Sequence, residues 1–281
     1  MDKKKRFALQ SLAALLQNAN FKGFFTGRIY GGRLKNICVP GLNCYSCPGA
    51  AGACPIGALQ NALSARHFKV PYYVVGLLLF FGALLGRAVC GFLCPFGFLQ
   101  DLLHRIPFPK KLRTFKGDKP LRKLKYLVLL FAVLLLPTVC KLTPVFCKYI
   151  CPSGTLSGIL LTLSDSRLVS LLGGRFLWKC SILCLVILSG IVLFRPFCKY
   201  LCPLGAVYAL FNRVSVVQMQ VDAQKCTHCG ACKSVCGMCV DPAETPNHTE
   251  CIRCGKCIEC CPHDALSYAN LFQKEKQQSD R

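Results

Sequence analysis

The chain has 281 residues, 53% of them hydrophobic, and a mean hydropathy of +0.42, which is too apolar for an ordinary water-soluble domain and points to a bilayer as part of its solvent. Its +23 formal charge does not read as a nucleic-acid surface: residues 1–221 carry 28 Lys and Arg against only Asp2, Asp101, Asp118 and Asp165, whereas residues 222–281 carry seven bases against eight acids. The 23 cysteines do not read as a secreted disulfide scaffold either, because their gaps repeat where those of a scaffold are irregular.

Four apolar segments are candidates for crossing a bilayer, which takes about 20 residues. Residues 7–25, FALQSLAALLQNANFKGFF, hold Gln10, Gln17, Asn18, Asn20 and Lys22, so alone they suit an interfacial amphipathic helix as well as a span. The loop that follows, ICVPGLNCYSCPGAAGACPIG, brings Cys38, Cys44, Cys47 and Cys54. Val70–Gly86 is a clear span and runs into CGFLCPFG, with Cys90 and Cys94. A dense basic stretch over residues 104–125 follows and marks a cytoplasmic loop. Tyr126–Leu142 is the next span, containing Cys140 and leading to CKYICPSG, with Cys147 and Cys151. The stretch 154–164 is too short to cross and reads as re-entrant or interfacial. Trp178–Phe194, with Cys180 and Cys184, precedes CKYLCPLG, with Cys198 and Cys202.

With the basic loop inside, the three clear spans alternate and the C-terminal region is cytoplasmic. A start of MDKKKR belongs inside too, so residues 7–25 are expected to make a fourth crossing. No A-x-A-like site follows this segment, and the N-terminus is read as retained. Cys90, Cys94, Cys198 and Cys202 then meet at the inner edge, the four thiols that one cubane requires. Cys44, Cys47, Cys54, Cys147 and Cys151 fall on the outer side, with enough thiols for a further cluster. Redox-active thiols remain the competing reading of both sets, and Cys180 and Cys184 read equally as small hydrophobes. Arg87, Lys148, Arg195 and Lys199 flank the blocks; they offset cluster charge or, as the simpler expectation, snorkel to the interface. Asp101 and His104 read as a solvated helix end rather than a proton relay or quinone contact.

Residues 222–268 carry Cys226, Cys229, Cys232 and Cys236 as C-x2-C-x2-C-x3-C, repeated by Cys251, Cys254, Cys257 and Cys261 with Pro262 after it. Three thiolates in seven residues suit one corner of a cubane, whereas zinc ribbons use two separated C-x2-C pairs. The run resembles the bacterial two-cluster ferredoxin module, and that resemblance implies crossed ligation: Cys226, Cys229, Cys232 and Cys261 on one [4Fe-4S] cluster, Cys251, Cys254, Cys257 and Cys236 on the other. Gly237 replaces the proline expected after Cys236. Cys239 and Cys260 are surplus thiols, and Cys260 competes with Cys261 as fourth ligand. None of the five histidines lies in a predicted span, and neither a c-type haem motif nor a dinucleotide fingerprint occurs.

These elements assign the chain to an α-helical integral membrane domain over 1–215, an α+β two-cluster ferredoxin domain over 216–270 and a polar tail over 271–281. The Cys-x3-Cys-Pro blocks followed by a ferredoxin module resemble the NapH/NosR-type membrane polyferredoxins. That resemblance implies iron-sulfur electron transfer between a cytoplasmic or quinone donor and a membrane or extracytoplasmic acceptor, in the manner of a quinol dehydrogenase component. The implied partners are lipid, redox proteins and a quinone, without nucleic acid. Maturation, redox sensing through the membrane thiols, and anchoring of a larger oxidoreductase are the alternatives. The outer loop and the third block depart from the simple two-block pattern.

Overall fold

A computed structural model describes residues 3–65, 71–139, 143–164 and 173–270. Cys140 and the tail after Asn270 lie outside them. Among the described residues one helix, Gly174–Val192, is by itself long and apolar enough to cross a bilayer; Tyr72–Leu85 is apolar but has 14 residues. Of the four expected spans, the last is thus a single long helix and the others are built from shorter helical pieces among the described residues. The first segment in particular is two helices, Lys3–Gln17 and Phe21–Thr26, broken where Asn18 turns its side-chain amide back onto the Ala14 carbonyl at 2.9 Å.

The third segment is helical over 124–139, but its middle, Val128–Leu135, is wound as a π-helix. Pro137 supplies the reason. A proline ring clashes with the carbonyl four residues back, and the wider turn relieves that clash. In the wider register the Ala132 carbonyl loses the donor that Pro137 lacks, and buried Gln60 takes it instead with Nε2 at 2.7 Å.

Four short helices begin with Cys-Pro-x-Gly: Pro55–Leu63, Pro95–Leu103, Pro152–Ser164 and Pro203–Phe211. In each the proline occupies the first turn, where its missing N–H costs nothing and its fixed φ favours the helix. At Cys94 and Cys202 the sulfur caps the helix, accepting from Gly97 N at 3.4 Å and from Gly205 N at 3.3 Å.

The C-terminal module is an antiparallel pair, Val217–Val221 with Leu266–Asn270, enclosing the short helices Ala231–Val235 and Lys256–Glu259. Ile252, Met238 and Val240 share one apolar core with the helical domain. Burying a side chain such as Ile252 contributes roughly 1.5–3 kcal/mol, so the module is packed in place rather than hung on a tether. Close backbone contact requires glycine here: a Cβ at residue 91 would lie 2.4 Å from the Ile252 carbonyl oxygen, and Gly86 has φ +53 beneath the Arg253 and Asn212 side chains.

Candidate functional site

The cysteines gather into four groups. Cys90, Cys94, Cys198 and Cys202 form the first, all buried. Each lies close enough to another member to perturb its ionisation, as Cys198 and Cys90 do at Cys202. Donors point at the sulfurs: besides the two capping amides, Leu42 N reaches Cys94 Sγ at 3.4 Å and Gln100 Nε2 reaches Cys198 Sγ at 3.0 Å.

Two arginines frame this group. Each stands three residues before the first cysteine of its own block, and each reaches into the other block: Arg87 Nη2 donates to the Cys198 carbonyl at 3.2 Å, and Arg195 Nη1 donates to the Cys90 carbonyl. Arg195 pays for a left-handed φ of +49 with a fork onto Asp101, Nε to Oδ1 and Nη2 to Oδ2, both 2.6 Å. Arg6 and Gln10 also bond Asp101, at 2.6 and 3.0 Å. Burial alone would raise the Asp101 carboxyl, yet the Arg195 and Arg6 guanidiniums hold it at about 2. Glu250 accepts from Arg87 at 2.6 Å and from Lys125, and Lys199 bonds Asp118 at 2.7 Å.

These contacts correct two sequence expectations. Arg87, Arg195 and Lys199 do not snorkel; they are buried and paired with carboxylates, whereas Lys148 is half-buried and bonds Thr143 Oγ1 at 3.2 Å. Asp101 is not a solvated helix end but the buried counter-ion of Arg195. Its neighbour His104 stacks on Phe194 instead.

The second group lines a cavity of about 680 Å³ and comprises Cys44, Cys54, Cys147 and Cys151, with Cys38 in the same wall. Gly57 and Gly154 bring the floor close: a Cβ on either would lie 3.8 Å from the sulfur of Cys147 or Cys44 respectively. Lys35 and Lys179 line the cavity. Gln60 holds the group in place, since its Oε1 accepts from Cys147 N at 3.3 Å while its Nε2 serves the π-helix. Cys47, read from sequence as a member, is buried outside this cavity and faces Lys35. Cys180 and Cys184 do not reach the cavity either.

In the C-terminal module the cysteines line two cavities. Cys226, Cys229, Cys232 and Cys261 line a cavity of about 250 Å³, and Cys236, Cys251, Cys254 and Cys257 line another. Cys261 Sγ accepts from Ala265 N at 3.4 Å, while Cys260 turns its thiol to the Cys257 carbonyl at 3.4 Å. Cys239 points out of the module toward the Arg113 carbonyl at 3.1 Å.

The donor chemistry fits iron-sulfur clusters. Burial pushes Cys198 and Cys251 up to about 11 and Cys54 and Cys151 up to about 12, so four such thiols ionise together only around a cationic group. Among the described residues no group of three or more His, Cys, Asp or Glu side chains closes on the scale of a single metal ion. The thiols of both ferredoxin sets and of the lysine-flanked set instead line cavities, as the larger cubane requires.

A 4Fe-4S binding domain model matches the chain four times, at residues 52–73, 70–116, 126–168 and 176–219. The chain belongs to the NapH/NosR-type polyferredoxin family. An uncharacterized protein of Methanocaldococcus jannaschii is 30% identical over 211 residues, covering 73% of this chain and 72% of that one. The ferredoxin-type protein NapH of Haemophilus influenzae is 24% identical over 75% of this chain and 73% of its own length. The regulatory protein NosR of Stutzerimonas stutzeri is 25% identical over 68% of this chain and 26% of its own. No solved structure matches. Each matched segment contains one Cys-Pro-x-Gly, so the outer loop and third block, which looked like departures, are repeats of the same unit. The second and fourth repeats build the arginine-flanked group, and the first and third, with Cys44 from the loop before the first, build the lysine-flanked one. The signal for the first repeat is ACPIG at 53–57, which lacks the Cys-x3-Cys spacing of the other three.

Proposed function

We propose that this iron-sulfur electron-transfer protein carries four [4Fe-4S] clusters in series and relays electrons along them between a donor at the ferredoxin module and an acceptor at or across a membrane. The proposed ligands are Cys226, Cys229, Cys232 and Cys261; Cys236, Cys251, Cys254 and Cys257; Cys90, Cys94, Cys198 and Cys202; and Cys44, Cys54, Cys147 and Cys151. Bound clusters supply reversible one-electron exchange. The protein's part is to order them, to set their charge environment and to keep water from the middle of the path.

The observation that carries this reading is that single residues bridge the second ferredoxin set to the arginine-flanked set and that set to the lysine-flanked one. Asn212 donates to the Cys251 carbonyl at 2.9 Å and accepts from Arg87 N at 3.1 Å, linking the second ferredoxin set to the arginine-flanked one. Leu42 donates to Cys94 Sγ while lining the lysine-flanked cavity. Buried Tyr208 lies between the two, its hydroxyl donating to the Pro40 carbonyl at 2.9 Å. Cys229, by contrast, is exposed and offers the end of the series to a soluble partner.

We place the ferredoxin module in the cytoplasm, on the side of the basic loop 104–125. Residues 6–26 then cross in two pieces, since Arg6 bonds Asp101 near the module and Asn20 bonds the Pro48 carbonyl near the lysine-flanked set. The test uses proteoliposomes with the module outward, an impermeant reductant outside, ferricyanide enclosed and an ionophore to dissipate charge. The account expects the enclosed ferricyanide to be reduced, at a rate that falls at least tenfold in Cys94→Ser. Equal rates in liposomes lacking the protein would overturn it.

A further inference from the structure

We infer that the cavity beside Cys44, Cys54, Cys147 and Cys151 is a binding site for a small oxygen-bearing anion of the carboxylate, phosphate or sulfate class, held between Lys35 and Lys179. This deepens the relay reading by giving the end of the series a ligand, and it rests on that reading only for the ligand's role.

The first argument is room. The cavities lined by the two ferredoxin sets have about 250 and 20 Å³, whereas the lysine-flanked cavity has about 680 Å³. The larger value is in the range of cavities that accept small molecules, about 300–1,000 Å³, and it leaves space beyond what the sulfurs surround.

The second argument is charge. At the arginine-flanked set every buried cation is already matched: Arg87 and Lys125 share Glu250, Arg195 and Arg6 share Asp101, and Lys199 holds Asp118. At the lysine-flanked set neither lysine pairs with a carboxylate: Lys35 Nζ bonds Ala50 O at 2.7 Å and lies 5.0 Å from the Tyr45 ring centre, and Lys179 Nζ bonds Cys147 O at 3.4 Å. Among the described residues no Asp or Glu lines this cavity. The negative charge of a thiolate-bound cluster is offset by the two ammonium groups, and it is their remaining N–H donors that the oxygens of an anion would use. Asn36 and Asn61 in the same wall add neutral donors for its oxygens.

The test follows acylation of lysines by an amine-reactive ester, read residue by residue with mass spectrometry on the full chain prepared anaerobically. In detergent the probe is inorganic phosphate or acetate; in nanodiscs without added anion it is phosphatidylglycerol against phosphatidylcholine. Saturable protection of Lys179, at least fivefold and without protection of half-buried Lys148, which lies outside the cavity, is expected in one arm. Protection by free anion identifies a soluble ligand, and protection by phosphatidylglycerol alone identifies a lipid headgroup as the source of the same chemistry. Lys179→Gln should raise the phosphate concentration that perturbs the electron paramagnetic resonance signal of the neighbouring centre at least tenfold, and Lys179→Arg should retain it. Equal acylation of Lys179 and Lys148 under every probe, or an unchanged phosphate response in Lys179→Gln, overturns the site. The relay reading fails separately, if iron is missing from this cysteine set while the protection remains.

Discussion

Arg87 donates to the carbonyl of Cys198 across 111 residues of chain, and Arg195 returns the contact to the carbonyl of Cys90. Each Cys-x3-Cys-Pro block is thus shaped by the arginine of the other, which makes the two repeats one unit. Their charges are closed by Asp101 and Glu250, two of only 12 acidic residues in the chain.

Asp101→Asn keeps the shape of that counter-ion and removes its charge from between Arg195 and Arg6. Breaking a buried pair by one partner costs about 3–5 kcal/mol, so the midpoint of thermal unfolding in detergent should fall clearly. The pH dependence has a defined sign. With its pKa depressed from 3.8 to about 2, Asp101 contributes fully above about pH 4 and loses that contribution as pH falls through about 2. The acid limb of a stability profile on the cluster-free chain should be shallower in Asp101→Asn.

Glu250→Gln should loosen the ferredoxin module without emptying it. The carboxylate joins Arg87 and Lys125, both fully buried, one residue before Cys251. Hydrogen exchange across residues 248–254 should rise, while the iron bound by the isolated module sets stays at the wild-type level.

Cys260→Ser and Cys261→Ser should differ sharply although the residues are adjacent. The Cys261 sulfur lines the exposed cavity and accepts from Ala265 N, whereas that of Cys260 faces the Cys257 carbonyl. Cys261→Ser should lose one cluster by iron analysis and resonance signal, and Cys260→Ser none.

Gln60→Leu strands two backbone groups, the Ala132 carbonyl and the Cys147 amide. Buried groups left unsatisfied cost about 1–3 kcal/mol each. The centre bound by Cys44, Cys54, Cys147 and Cys151 should become labile to chelator, while that of Cys90, Cys94, Cys198 and Cys202 should not.

The cysteine groups were largely legible because thiol spacing and the order of apolar runs carry them: sorting blocks by side puts Cys90 with Cys198 and Cys147 with Cys54. The cations were not. Arg195 beside a proline at the end of an apolar run looks like an interfacial anchor until its carboxylate, 94 residues earlier in the chain, is known. Local winding was not legible either: composition makes Tyr126–Leu142 a span but does not show that its middle is a π-helix before Pro137, with the Ala132 carbonyl taken by Gln60. Cys47 does not line the cavity, and composition alone cannot tell which thiols of a compact Gly- and Pro-rich loop do.

Quantitative iron and sulfide on the anaerobically isolated full chain tests the serial arrangement most directly. The account predicts about 16 iron and 16 sulfide per chain. It predicts that Cys94→Ser with Cys202→Ser, and separately Cys54→Ser with Cys151→Ser, each remove about four of each while the ferredoxin signals persist. About eight iron in the wild-type chain, unchanged by either pair of substitutions, would contradict it.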